Sequence, residues 1–178
     1  SRIILAESDD RGDTWTEKRV FDIPRSFAEH RSVWNAPRIS LLPDGRLLAN
    51  FDAFVFPDEA DSWTWPQSRT CNQTFLWFSE DEGRTWSDPQ TLHDGPFDDR
   101  DPSITQLKDG RLMCSYFAMT GTATDYNGTL IVTSKDAGRS WSQPQRIAEK
   151  HGCSSPVREL ADGRLILGVH SEWLKPVQ

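Results

Sequence analysis

The chain is 178 residues long, 36% hydrophobic and 26% charged, with a formal net charge of −7. An acidic balance without a continuous basic stripe excludes nucleic acid as the expected partner, and no apolar run reaches bilayer-spanning length, so no membrane partner is expected. The first residues show no basic-then-apolar leader pattern, and the composition leaves the compartment open.

Residues 1–8 read as a strand that runs into the phrase SDDRGDTW at 8–15, with a second strand near Val20. The phrase returns as SEDEGRTW at 79–86 and SKDAGRSW at 134–141, each reading Ser-x-Asp-x-Gly-x-(Thr/Ser)-Trp, so a periodic fold is expected. A second phrase interleaves with it: LPDGRLL from Leu42, LKDGRLM from Leu107 and LADGRLI from Leu160. Asp-Gly between apolar runs signals a hairpin whose two turn residues both take positive φ. In chain order, strands A to D are expected at 37–42, 46–51, 72–79 and 89–92, then again at 102–107, 111–117, 128–134 and 144–147, with a further A and B within 155–170. Asp-Gly joins A to B, and the longer phrase joins C to D. Four antiparallel strands per repeat of roughly fifty residues is the pattern of a blade of a β-propeller, an all-β fold.

The longer phrase reads as a structural turn at Ser8, Asp10, Gly12, Thr14 and Trp15, at Ser79, Asp81, Gly83, Thr85 and Trp86, and at Ser134, Asp136, Gly138, Ser140 and Trp141. Its Asp and hydroxyl side chains satisfy the turn backbone, its Gly supplies positive φ, and its Trp packs between neighbouring blades. The same logic sets aside Arg11-Gly12-Asp13 as an adhesion signal, and the phrase is too short for a calcium loop.

This phrase resembles the Asp-box, or BNR repeat, of the sialidase (neuraminidase) superfamily, and RDPSI at 100–104 resembles that family's Arg-Ile-Pro segment opening strand A. The resemblance spans nearly the whole chain and implies a sialidase-like β-propeller. In that frame residues 1–35 are a half-blade of strands C and D, 36–100 and 101–154 are whole blades, and 155–178 are a half-blade of strands A and B. The order CD-ABCD-ABCD-AB adds up to three blades, below the about four to eight that close a ring. A homodimer completing a six-bladed propeller is the expectation, and a segment of one longer six-bladed chain is the rival.

Strand parity puts both kinds of turn at one end of the ring. The D-to-A and B-to-C connections, at the other end, are the candidate functional face, collecting residues 22–36, 52–71, 93–101, 118–127, 149–155 and the segment from Ser171. The longest connection holds Asp58, Glu59, Asp61, Trp63 and Trp65, carboxylates beside tryptophans that suit the hydroxyls and face of a sugar. A lid packed on its own tryptophans or on a partner chain fits the same composition. Sialidases grip a substrate carboxylate with three Arg and use an Asp as acid/base with a Tyr nucleophile activated by Glu. The resemblance implies such roles for Arg100, at the first Arg position, and for Asp125, in the following B-to-C connection. Elsewhere the pattern departs: Ser154 stands where the activating Glu belongs, His170 where the next Arg would end strand B, and Asn35 where another blade opens with Arg. Tyr116 and Tyr126 lie in no recognisable nucleophile context, and Arg100, flanked by Asp98, Asp99 and Asp101, reads equally as part of a local ion pair.

Arg38 and Arg158 fall on strand A, where alternation sends some side chains into the central channel. Glu159 is a further acid within reach of the functional end, and His151 and His170 are candidate acid/base groups. No cofactor or metal is expected, because the four His are scattered and Cys71, Cys114 and Cys153 lack ligand spacing. Cys114 reads as a small buried thiol in strand B, and the glycosylation patterns at Asn72 and Asn127 read as chance. Two functions from different classes follow. One is a carbohydrate-active propeller that binds or hydrolyses a glycoside without the full sialidase set, and the other is a non-catalytic glycan- or protein-binding propeller.

Overall fold

The computed structural model describes residues 3–21, 31–56, 72–93, 95, 97–119 and 126–171. Their strands form four antiparallel sheets in chain order. A ribbon of β1 (Ile4–Glu7) and β2 (Thr16–Val20) is followed by a four-stranded sheet of β3 (Arg31–Leu41), β4 (Leu47–Phe56), β5 (Asn72–Ser79) and β6 (Gln90–Thr91). A second four-stranded sheet comprises β7 (Asp98–Gln106), β8 (Leu112–Met119), β9 (Tyr126–Ser134) and β10 (Gln145–Ala148), and a last ribbon pairs β11 (Arg158–Glu159) with β12 (Leu165–Ile166). Each four-stranded sheet is a simple meander, as hairpin-connected strands of alternating direction require.

Strands β3 and β7 begin earlier than their prolines led us to expect. Proline lacks the N–H that a ladder needs and is tolerated at a bulge. Both strands carry an irregularity at that point, between Asn35 and Arg38 and between Arg100 and Ser103, which lets pairing resume upstream of Pro37 and Pro102. Asp101 takes a φ of 52° within the second bulge.

The Asp-Gly turns differ from expectation as well. Only the glycines are at positive φ, Gly45 at 89°, Gly110 at 88° and Gly163 at 87°, whereas the aspartates are not. The Gly45 amide donates to the Leu42 carbonyl (2.9 Å) and the Leu42 amide to the Arg46 carbonyl (2.8 Å), which closes a three-residue loop ending in a left-handed glycine. The preceding aspartate instead accepts the amide two residues on, Arg46 to Asp44 at 3.1 Å, as a short polar side chain in a turn does.

The longer repeated turn forms the hydrogen bonds its side chains require. In the second copy the Gly83 amide donates to Ser79 Oγ (2.8 Å), the Thr85 amide to Asp81 Oδ1 (2.8 Å) and Thr85 Oγ1 to Asp81 Oδ2 (2.6 Å). The same set recurs around Asp10 and Asp136. These bonds, led by the Thr or Ser hydroxyl, hold all three carboxyls at a pKa of about 2.

Three apolar layers lie between successive sheets. Phe21 with Ile3 and Leu5 meets Phe51, Phe75 and Trp77; Leu48, Leu76 and Leu92 meet Leu112, Cys114 and Val132; Leu107, Met113 and Ile131 meet Val157 and Leu167. Side chains two apart on a strand share a face, so Leu48, Asn50 and Asp52 face the second four-stranded sheet while Ala49, Phe51 and Ala53 face the first ribbon. Trp86 packs edge-on against Phe21 with centroids 5.1 Å apart, and Trp141 packs on the layer around Leu48. Trp15 departs from the expected packing: it is 65% exposed, because no sheet among the described residues lies on that side of the first ribbon.

Candidate functional site

Two repeated rungs tie the first four-stranded sheet to the second, and the second to the segment that enters β11. Ser40 Oγ donates to the Ile104 carbonyl (3.5 Å) and Thr105 Oγ1 to the Val157 carbonyl (2.9 Å). Asn50 Nδ2 donates to the Pro102 carbonyl and Ser115 Oγ to the Ser155 carbonyl, each at 2.8 Å. Both rungs occupy equivalent positions counted from the Asp-Gly turns, so the repeat itself sets the spacing between sheets. The inner strands wall a cavity of about 630 Å³, whose polar lining includes Arg38, Ser40, Ser103, Thr105, Gln106 and Arg158; Leu41, Leu42 and Pro43 line it too, so it reaches the Asp-Gly turns rather than the end expected to carry function.

Alternation left open which strand-A residues face inward. The structure puts Arg38 and Arg158 on the same cavity, where neither has a carboxylate partner among the described residues. Arg38 Nη2 donates to the Ser154 carbonyl at 3.2 Å, and its Nε is buried without a hydrogen-bond partner among the described residues. Ser154 Oγ in turn donates to Asp101 Oδ2 at 2.6 Å. Arg38, Ser154 and Asp101 therefore form a polar chain across three consecutive sheets.

Behind this chain lies Asp52, which strand reading overlooked. It is fully buried, and among the described residues no side chain donates a hydrogen bond to its carboxylate. Burial first, and the nearby charge of Asp101 second, push its pKa up to about 7, with the backbone amides of Asp52 and Asp101 offsetting part of the rise. The signal was present in the sequence: a carboxylate in the apolar run LLANFDAF, in phase with the buried Leu48 and Asn50.

The other candidates divide by location. Arg100 is paired with Asp98 by two guanidinium nitrogens, and both side chains are nearly buried. Glu159 accepts the Lys108 amide at 2.7 Å, beside the second Asp-Gly turn and away from the connections expected to carry function. His170 is joined to Gly152 by a backbone bridge, and its ring meets Phe117 edge-on at 6.1 Å. His151 Nδ1 contacts the Glu149 carbonyl, and its own carbonyl accepts Thr129 Oγ1 at 2.9 Å. Asn35 sits opposite Asp52 in the β3–β4 ladder. Asp125, Asp58, Glu59, Asp61, Trp63 and Trp65 lie outside the described residues.

Tyr116 is sealed between the two four-stranded sheets, 1% exposed, with its hydroxyl unpartnered among the described residues and the His93 ring 6.2 Å away. Burial, reinforced by the charge of Asp99, pushes its phenol well above the usual tyrosine range and holds it protonated. Cys114 is fully buried, as expected of a small apolar thiol, and Cys153 joins it with a pKa raised by burial to about 11. No group of three or more His, Cys, Asp or Glu among the described residues is placed to hold a metal ion.

No family model and no curated protein sequence matches the chain. Solved structures do match it. An α-L-arabinanase from Penicillium chrysogenum complexed with arabinobiose is 20% identical with a TM-score of 0.59, over 92% of this chain and 48% of that one. The NanB sialidase from Streptococcus pneumoniae is 14% identical with a TM-score of 0.58, over 78% and 41%. A protein of unknown function from Dyadobacter fermentans is 20% identical with a TM-score of 0.56, over 76% and 46%. At these identities the likeness shows the fold, that of the sialidase and arabinanase propellers, and the chain spans less than half the length of each structure.

Proposed function

We propose that this chain is a carbohydrate-active, sialidase-like propeller that binds or hydrolyses a glycoside at the central pocket, without the full sialidase catalytic set. The observation that carries this reading is the cavity between the inner strands. Two arginines free of carboxylate partners among the described residues, together with hydroxyl and amide side chains, offer converging donors and acceptors of the kind that fix a polyhydroxylated ligand. The propeller fold shared with a sialidase and an arabinanase supports the same ligand class. In the enzyme form of the proposal Asp125 is the acid, from its place in the resemblance.

A non-catalytic glycan- or protein-binding propeller is the second reading, and specific residues favour it. Arg100 is tied to Asp98, Ser154 stands in place of a carboxylate, and Tyr116 is sealed and protonated. Chromogenic glycosides, including a sialoside and an arabinoside, run beside a glycan array, separate the two. Turnover abolished by Asp125→Asn supports the enzyme, and array binding without turnover supports the module. In either case Arg38→Ala and Arg158→Ala are each expected to weaken glycan binding about tenfold, as loss of a charge-assisted hydrogen bond does. Binding unchanged in both variants refutes the channel as the site.

A further inference from the structure

Asp52 stands where the repeat itself asks for no charge. It lies seven residues after its turn glycine, Gly45, and the same count from Gly110 and Gly163 reaches Phe117 and His170. Phe117 is 6% exposed and meets the His170 ring edge-on, so an apolar side chain fills this place in the next sheet. A carboxyl buried without a side-chain donor is unfavourable, and a fold that takes Phe at the equivalent position has no structural need of one.

Asp101 and Ser154 are likewise equivalents, each nine residues before its turn glycine. Asp101 is held from two sides: its carboxylate accepts Ser154 Oγ at 2.6 Å, and its backbone amide lies against the Asp52 carboxyl. Its φ of 52°, uncommon for a residue with a side chain, persists only where neighbours hold it. Ser154 in turn offers its carbonyl to Arg38, the β3 residue of the cavity lining farthest from the Asp-Gly turn. The carboxylates of Asp101 and Asp98, both on β7, act on Asp52. The cations nearby are engaged elsewhere, Arg100 by Asp98 and Arg38 by Ser154. The ladder neighbours of Asp52, Asn35 on β3 and Thr74 on β5, carry no charge.

We infer that Asp52 is a positioning residue for the cavity: its carboxyl seats Asp101, Asp101 seats Ser154, and Ser154 aims the Arg38 guanidinium into the cavity. The seat holds while Asp52 keeps its proton. Once Asp52 ionises, two carboxylates oppose each other in one interface, and Asp101, only half-buried, gives way. Its movement releases the Ser154 hydroxyl and turns Arg38 away. The consequence for binding rests on the reading of this cavity as a glycan site.

Two measurements on the intact chain test the inference. Without any ligand, the amide resonances of Asp101 and Ser154 are expected to titrate together with a midpoint at about 7, and Asp52→Asn is expected to abolish that shared step. Arabinobiose and sialyllactose are then titrated at about pH 6 and about pH 8, where the parent is expected to bind about tenfold more weakly at the higher pH because only the protonated fraction is competent. Asp52→Asn, always uncharged, is expected to bind equally at both. A parent without the shared titration, a titration that persists in Asp52→Asn, or a pH step in binding that the variant keeps overturns the inference. The shared titration without binding of either sugar supports the seat and refutes the glycan reading alone.

Discussion

Asp52 is a buried carboxyl facing Asp101, with Asp98 adding a smaller repulsion, and its folded pKa of about 7 lies above the ordinary 3.8. A raised folded pKa means that the native state holds the proton more tightly than the unfolded chain does. Its stability contribution is therefore fully present below about pH 4 and is lost as pH rises through about 7. The three turn aspartates act in the opposite sense: depressed to about 2, they favour folding above about pH 4 and lose that contribution as pH falls towards 2. Asp52→Asn keeps the shape and removes the charge. It is expected to raise stability at about pH 8 by up to about 4 kcal/mol, the equivalent of roughly three pKa units, and to leave it unchanged at about pH 4. Urea unfolding at the two pH values checks this, and an equal effect at both would refute the assignment. Arg38 and Arg158 could be placed on strand A from sequence, but their shared cavity could not, because a bulge at Pro37 shifts the strand's phase.

The two turn types answer to different constraints. In the Asp-Gly loops nothing lies within 4 Å of a Cβ added at Gly45 or Gly163, so only backbone strain opposes a side chain there. In the longer turn a Cβ at Gly138, at φ 91°, would come within 2.6 Å of Phe78 Cζ, because the turn of one sheet presses on the third strand of the preceding one. Gly45→Ala is accordingly expected to cost about 1 kcal/mol, and Gly138→Ala about 2–3 kcal/mol, strain and overpacking together. Chemical denaturation of the two variants measures the difference, and equal losses would show that the turn does not press on its neighbour. The residue before each turn glycine also takes positive φ, Arg11 at 63°, Glu82 at 60° and Ala137 at 62°. Their identities share no chemistry, so no residue preference marked them in the sequence.

Across the whole molecule, the sheets depend on one another for burial. Trp141 packs on the layer shared by the two four-stranded sheets, and Trp141→Ala is expected to cost about 3 kcal/mol by leaving a void there. Trp15→Ala removes a side chain that is 65% exposed and meets no other sheet among the described residues. In dilute samples it is expected to leave urea unfolding within about 0.5 kcal/mol of the parent; a loss as large as that of Trp141→Ala would show that Trp15 is already buried. Repeats of two interleaved phrases were enough to order the strands, place the Asp-Gly and longer turns and predict antiparallel sheets, because turn chemistry and strand alternation are local properties that act within a few residues. Three things depended on groups distant in sequence: which side chains line the cavity, how Arg38, Ser154 and Asp101 join across three sheets, and why Asp52 keeps its proton. Burial and the field of neighbouring carboxylates exist only once separate sheets have packed, and the bulges that re-aim the inner strands decide which residues meet.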